Sequence, residues 1–149
     1  MSNKWQVKYW MTRLPETIRP TTSTREAFNK MRNGNFRHLL VVQDGELLGL
    51  VSDRDLRRPD LSTGEDGWNE LYTPNENDEV RYIMATELQV IQENDNIHQA
   101  IKKLNEYGYG ALPVVNDQQN PIGILSIYDL LKCFDEVLDK CGSVLESTF

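Results

Sequence analysis

The sequence predicts an α/β chain of the α+β type, built as two pseudo-symmetric repeats, each a small three-stranded sheet with two packing helices. Three observations lead there. The chain matches itself: displaced by 73 residues, Val7-Lys8-Tyr9-Trp10-Met11 falls on Val80-Arg81-Tyr82-Ile83-Met84, and 9 of the 36 pairs from Val7 to Val42 are identical. Both halves show the same order of cap, helical period, strand, turn and strand. Each half also carries one pattern: Gly, two apolar residues, Ser, two variable residues, Asp. It reads Gly49-Leu50-Val51-Ser52-Asp53-Arg54-Asp55 and Gly123-Ile124-Leu125-Ser126-Ile127-Tyr128-Asp129, now 74 residues apart because the turn Asn116 to Asn120 holds one extra residue.

The elements follow in order. Trp5 to Met11, aromatic and apolar with Lys4 and Lys8 interspersed, reads as a short helix or arm. Its recurrence at Val80 to Met84 makes it the lead-in to each repeat. Glu16-Thr17-Ile18 is a short strand stopped by Pro20. Ser23-Thr24-Arg25-Glu26 reads as a capping box for a helix that turns Ala27, Phe28 and Met31 to one face and ends at Asn33-Gly34. A strand from His38 to Val42, an Asp44-Gly45 hairpin turn and a strand from Leu47 to Val51 complete the first copy. In the second copy Asn96 is the cap, and Ile97, Ala100, Ile101 and Leu104 form the apolar face. Gly108 and Gly110 close that helix, and strands follow at Ala111 to Val115 and Ile122 to Leu125. A last helix from about Tyr128 to Lys140 carries the apolar stripe Ile127, Leu130, Leu131, Phe134 and Leu138, read as core or dimer interface. These readings divide the chain into repeats at 1–58 and 80–149 and an acidic linker at 59–79. The linker is expected to be partly ordered and pinned by a helical turn of Trp68, Leu71 and Tyr72, a disordered linker being the alternative.

With 149 residues, 39% hydrophobic and 26% charged, the chain suits one soluble domain or two small repeats sharing a core. No apolar run approaches the roughly 20 residues of a membrane span, and Met1-Ser2-Asn3-Lys4-Trp5 does not resemble a signal peptide. Cys133 and Cys141 are therefore expected as reduced thiols of a cytoplasmic protein. His38 and His98 lack a Cys or His cluster, so no metal site is expected. The net charge of −7 divides unevenly: +5 from Met1 to Arg58, seven acidic and no basic residues from Pro59 to Val80, and −5 thereafter. The overall sign argues against nucleic acid as a partner, while the basic first repeat suits a small anion. No nucleophile paired with a base is apparent, so an enzyme is not expected.

In each Gly-to-Asp pattern, glycine allows a close approach of backbone or ligand. Ser and Asp fall where a helix begins, beside free N–H groups that attract anions, and a carboxylate there suits the hydroxyls of a sugar. One Ser-x-x-Asp reads equally well as a plain helix cap; two in register favour a site.

The repeat resembles the cystathionine-β-synthase (CBS) domain, and the tandem resembles a Bateman module, from about Val7 to Lys140. The resemblance implies two clefts between the repeats that take adenosine-containing ligands such as AMP, ADP, ATP, S-adenosylmethionine or cyclic dinucleotides. It implies that Asp55 and Asp129 hold ribose hydroxyls and that Ser52 and Ser126 contact phosphate. Thr17-Ile18 and Val90-Ile91 match the segment lining the adenine pocket, and His38-Leu39-Leu40 and Ala111-Leu112-Pro113 match the strand opposite. The chain departs from the family where Leu40 and Glu93 replace prolines and where the second copy has Ile127 and Tyr128 in place of a cation. Arg37, His38 and Arg54 are the phosphate candidates, their alternative being solvated surface charges. The implied function is a regulatory module that binds an adenine nucleotide, forms a homodimer and acts on an unidentified partner protein. No catalytic residue, membrane partner or cofactor beyond the regulatory AMP, ADP or ATP is expected. A nucleotide-free dimeric adaptor of the same fold is the alternative.

Overall fold

The structure, a computed structural model, describes residues 4–13, 15–57 and 74–146. In chain order the elements are β1 (Thr12–Arg13), β2 (Thr17–Ile18), α1 (Thr24–Gly34), β3 (His38–Gln43), β4 (Glu46–Ser52), β5 (Ile91–Gln92), α2 (Ile97–Tyr107), β6 (Ala111–Val115), β7 (Pro121–Ser126) and α3 (Ile127–Glu146). Short 3-10 turns lie at Val7–Tyr9, Asp55–Arg57 and Val80–Tyr82. They divide into two compact units, one of residues 15–88 and the other of 1–14 with 89–149. No helix among the described residues is long and apolar enough to cross a membrane.

In the 15–88 unit, β2 runs parallel to β3, with Thr17 opposite Leu40 and Ile18 opposite Val41, and β3 pairs antiparallel with β4. Asp44 and Gly45 turn the hairpin with φ of +51° and +79°, as a tight two-residue loop requires. At α1, Ser23 Oγ accepts the Glu26 N–H at 3.1 Å, while the fully reciprocal capping box is made at α2 by Asn96 and Gln99. The end of α1 corrects the expectation. Asn35, at φ +55°, and not Asn33-Gly34, takes the left-handed cap. Gly34 serves packing: a Cβ there would lie 1.8 Å from Phe36 Cε1. The core of this unit is Ile18, Ala27, Met31, Leu39, Val41, Val51, Leu56 and Val80.

The other unit has four strands where three were expected, in the order β1-β7-β6-β5. The extra strand is β1, which lays Thr12 opposite Ile124 and Arg13 opposite Gly123. Gly108 closes α2 at φ +70°. The extra residue of the β6–β7 turn is absorbed by Gln119 at φ +66°, with Asn116 Oδ1 accepting the N–H groups of Gln118 and Asn120 at 3.0 and 2.9 Å. The helix α3 runs to Glu146, beyond the expected Lys140. Its apolar residues split into two faces. Leu130 and Cys133 join Val7, Met11, Ile91, Leu112 and Leu125 in the core, whereas Ile127, Leu131, Phe134 and Leu138 are exposed.

Sequence repeats and folded units have different boundaries. Val7 and Lys8 donate their N–H groups to the carbonyls of Asp95 and Glu93, both at 2.9 Å, inside the 89–149 unit. The copies of these residues, Val80 and Arg81, donate to Thr22 and Pro20 at 2.9 and 3.1 Å, inside the 15–88 unit. Each lead-in thus packs on the strands of the other repeat, because its Val, 0% exposed in both copies, completes that repeat's core. The motif glycines are where the lead-ins pass. A Cβ on Gly49 would stand 2.5 Å from Met84 Sδ, and one on Gly123 would stand 2.8 Å from the Thr12 carbonyl and 2.9 Å from Met11 Sδ. Of the linker, residues 74–79 are laid on the start of α1, where Thr24 donates its N–H to the Asp78 carbonyl at 2.8 Å. The turn expected at Trp68, Leu71 and Tyr72 lies outside the described residues.

Candidate functional site

Two corners, one in each unit, carry the Ser-x-x-Asp residues. In the 15–88 unit His38 opposes Ser52 across β3 and β4, and one further bond closes the ladder, Asp53 N–H to the Arg37 carbonyl at 2.9 Å. In the other unit Ala111 opposes Ser126, and Ile127 N–H reaches the Gly110 carbonyl at 3.0 Å. The chain then turns into the next helix. Ser52 N–H donates to Asp55 Oδ2 at 2.9 Å, and Asp55 N–H donates back to Ser52 Oγ at 3.1 Å. At the second corner Ser126 donates its N–H and its hydroxyl to Asp129 Oδ2 at 2.8 and 3.1 Å, and Asp129 N–H donates to Ser126 Oγ at 3.3 Å. These are reciprocal capping boxes, so the plain-cap reading is realised in both copies. The cap at Asp129 falls on one oxygen only, and a carboxylate has about four acceptor positions. Ser52, Asp55, Ser126 and Asp129 are all half-buried and remain within reach of a solute.

The other candidate residues separate by exposure. Ile18, Leu39, Ile91, Ala111, Leu112 and Pro113 are buried, Leu39 and Leu112 at 0% exposed, and they hold the strands that carry the corners. Thr17, Arg37, Arg54 and Tyr128 are exposed; His38 and Val90 are half-buried. The Val90 carbonyl is already an acceptor, for Lys103 Nζ at 2.7 Å. The sequence reading missed Arg57, whose guanidinium lies 5.8 Å from the centre of the Phe28 ring at the end of the 3-10 turn. Its spacing of three from Arg54 was the available signal. A surface pocket of about 270 Å³ lined by Arg19, Pro20, Thr21, Val42, Gln43 and Asp44 sits at the other end of β3 from His38.

Shifted titrations lie on α3 and its neighbour. Hydrogen bonds from Lys140 and Lys4 lower Glu136 to about 2, and the same carboxylate raises Lys4. Burial pushes the Cys133 thiol up, which fits an inert core thiol.

The CBS domain family matches residues 7–61 and 80–136. The CBS domain-containing protein YhcV of Bacillus subtilis (strain 168) is 32% identical over 124 residues, 83% of this chain and 81% of that protein. Other curated relatives are longer, the chain spanning 47% of one and 21% of another. Among solved structures, CBSX2 in complex with AMP superposes with a TM-score of 0.68 at 25% identity, over 89% of this chain and 98% of that one. The CBS domain pair of protein MJ0100, in complex with 5′-methylthioadenosine and S-adenosyl-L-methionine, shares the fold with a TM-score of 0.71 at 22% identity, over 88% and 96% of the two chains. With two matched copies over most of its length, this chain belongs to the CBS domain family as a tandem pair.

Proposed function

We propose that the chain is a regulatory module that binds adenosine-containing nucleotides (AMP, ADP or ATP) at its two Ser-x-x-Asp corners and conveys their occupancy to a partner protein. The observation that carries this reading is that one polar corner is built twice, with Ser and Asp kept and the same pair of reciprocal backbone N–H bonds made both times. Each corner sets a half-buried carboxylate fit for a ribose diol at the end of a strand. The AMP complex of CBSX2, 25% identical, supports the ligand class. The module has no turnover of its own, so AMP or ATP incubated with it returns unchanged; hydrolysis persisting in the pure protein would contradict that. Its free thiols suit the reducing cytoplasm.

Melting temperature in the presence of adenosine, AMP, ADP, ATP and GMP tests the reading. A ligand at 100 times its Kd adds about 2.7 kcal/mol of stability, an upward shift of several degrees. No shift with any adenosine compound would favour the nucleotide-free adaptor.

The same proposal includes a homodimer. Ile127, Leu131, Phe134 and Leu138 of α3 are spaced 4, 3 and 4 residues apart and are 42, 59, 58 and 37% exposed. That is a coiled-coil seam, which the same helix of a second copy would cover. Light scattering is expected to give twice 17.3 kDa. Leu131→Glu with Phe134→Glu should return the monomer, and a wild type of 17.3 kDa at micromolar concentration would refute the dimer.

A further inference from the structure

We infer that the two corners select ligands of different charge: the Ser52–Asp55 corner an adenosine compound bearing several phosphates, the Ser126–Asp129 corner one bearing little or no phosphate. This rests on the adenosine reading above and assigns a ligand class to each site. The matching backbone bonds, Asp53 to Arg37 and Ile127 to Gly110, fix which positions correspond. Arg37 then stands where the second corner has Gly110, Arg54 where it has Tyr128, and Arg57 where it has Leu131. The three arginine positions in and around the first motif thus have neutral residues at the matching positions of the second. His38 likewise becomes Ala111.

Two features oppose the contrast and are smaller. Asp53 adds one negative charge at the first corner, where Ile127 is neutral, leaving an excess of two positive charges there. The helix α3, 20 residues long, presents its positive end at the second corner, whereas the first is followed by a three-residue 3-10 turn. That end is worth about half a charge, fades within a turn, and is already faced by the Asp129 carboxylate. The guanidinium groups therefore decide the sign. Arg57 is also held in place by the Phe28 ring, and guanidinium grips phosphate oxygens in pairs. At the second corner Tyr128 is 41% exposed, and Gly110 follows Tyr109, stacked on Tyr107 at 6.0 Å. Such flat apolar surface suits a base or an uncharged substituent.

Calorimetric titration of adenosine, AMP, ADP and ATP at low and high salt, on variants that keep one corner each, tests this. Asp129→Asn leaves the first corner and Asp55→Asn the second; asparagine keeps an acceptor for the cap, so the fold is retained. With Asp129→Asn, affinity should climb about threefold to tenfold per added phosphate at low salt and less at high salt. Arg54→Ala with Arg57→Ala should flatten that climb, also in an otherwise wild-type chain. With Asp55→Asn the series should be flat or falling, and Tyr128→Arg should introduce a climb. Equal climbs at both corners, or a flat series at the first, would overturn the inference and leave adenosine binding standing. Failure of the wild type to bind any of the four compounds would overturn the inference and the functional reading together.

Discussion

The Asp129 carboxylate accepts two hydrogen bonds from Ser126 on a single oxygen while the residue also stands in the first turn of α3. Removing it therefore touches stability as well as any ligand. Asp129→Ala is expected to lower the unfolding free energy by about 0.5–2 kcal/mol, the usual worth of a cap. Asp129→Asn should lose less, and urea denaturation would show the difference. Two variants as stable as wild type would mean that the cap contributes nothing. The motif glycines make a second case. A Cβ at Gly123 meets a backbone oxygen at 2.8 Å, whereas at Gly49 the nearest atom, at 2.5 Å, is the end of the flexible Met84 side chain. Gly123→Ala should accordingly cost about 1–3 kcal/mol and Gly49→Ala less; the reverse order in urea midpoints would contradict this packing. From the sequence, glycine announced that something comes close. That the visitor is a lead-in segment, with Met11 or Met84, was not legible, because the contact spans the chain and leaves no local pattern.

At the scale of the element, α3 shows how far periodicity reaches. The 3.6-residue spacing identified the helix, yet it merged Leu130, which packs on the core, with Leu131 and Phe134, which face outward. A wide apolar stripe does not say which edge meets the unit and which awaits another surface. The same helix carries Glu136, whose Oε1 accepts from Lys4 Nζ and Lys140 Nζ, both at 2.7 Å, tying the start of the chain to the helix. Its carboxyl is held at about 2 in the folded chain against an ordinary 4.5. A carboxyl lowered on folding stabilises fully above its ordinary value, and that contribution fades as pH falls from about 4.5 through 2. The melting temperature of Glu136→Gln is thus expected below that of wild type at neutral pH, with the gap closing by pH 2. Because both lysines are exposed and Glu136 is only half-buried, added salt should also narrow the gap. A gap that persists at pH 2 would assign it to packing and not to charge.

At the scale of the whole molecule, the internal match at a displacement of 73 made the α+β class, the succession of strand, helix and hairpin along each copy and the paired Ser-x-x-Asp motifs legible from the sequence. Local pattern carries those features because caps, hairpin turns and buried strands are written in neighbouring residues. The boundaries of the folded units were not legible, since each lead-in satisfies its N–H groups on a partner more than fifty residues away. Nor was Arg57, whose place beside Phe28 depends on how α1 and the 3-10 turn meet. What remains common to both scales is the duplicated corner, and the account stands on its binding an adenosine compound. The most direct test is calorimetric titration of AMP into the wild type and into Asp55→Asn/Asp129→Asn. Loss of charge-assisted bonds worth about 1.5–3 kcal/mol predicts binding weakened roughly ten- to a hundredfold in the double variant, with its melting behaviour close to wild type. A wild type that takes up no AMP, or a double variant that binds it as tightly as the wild type, would contradict the account.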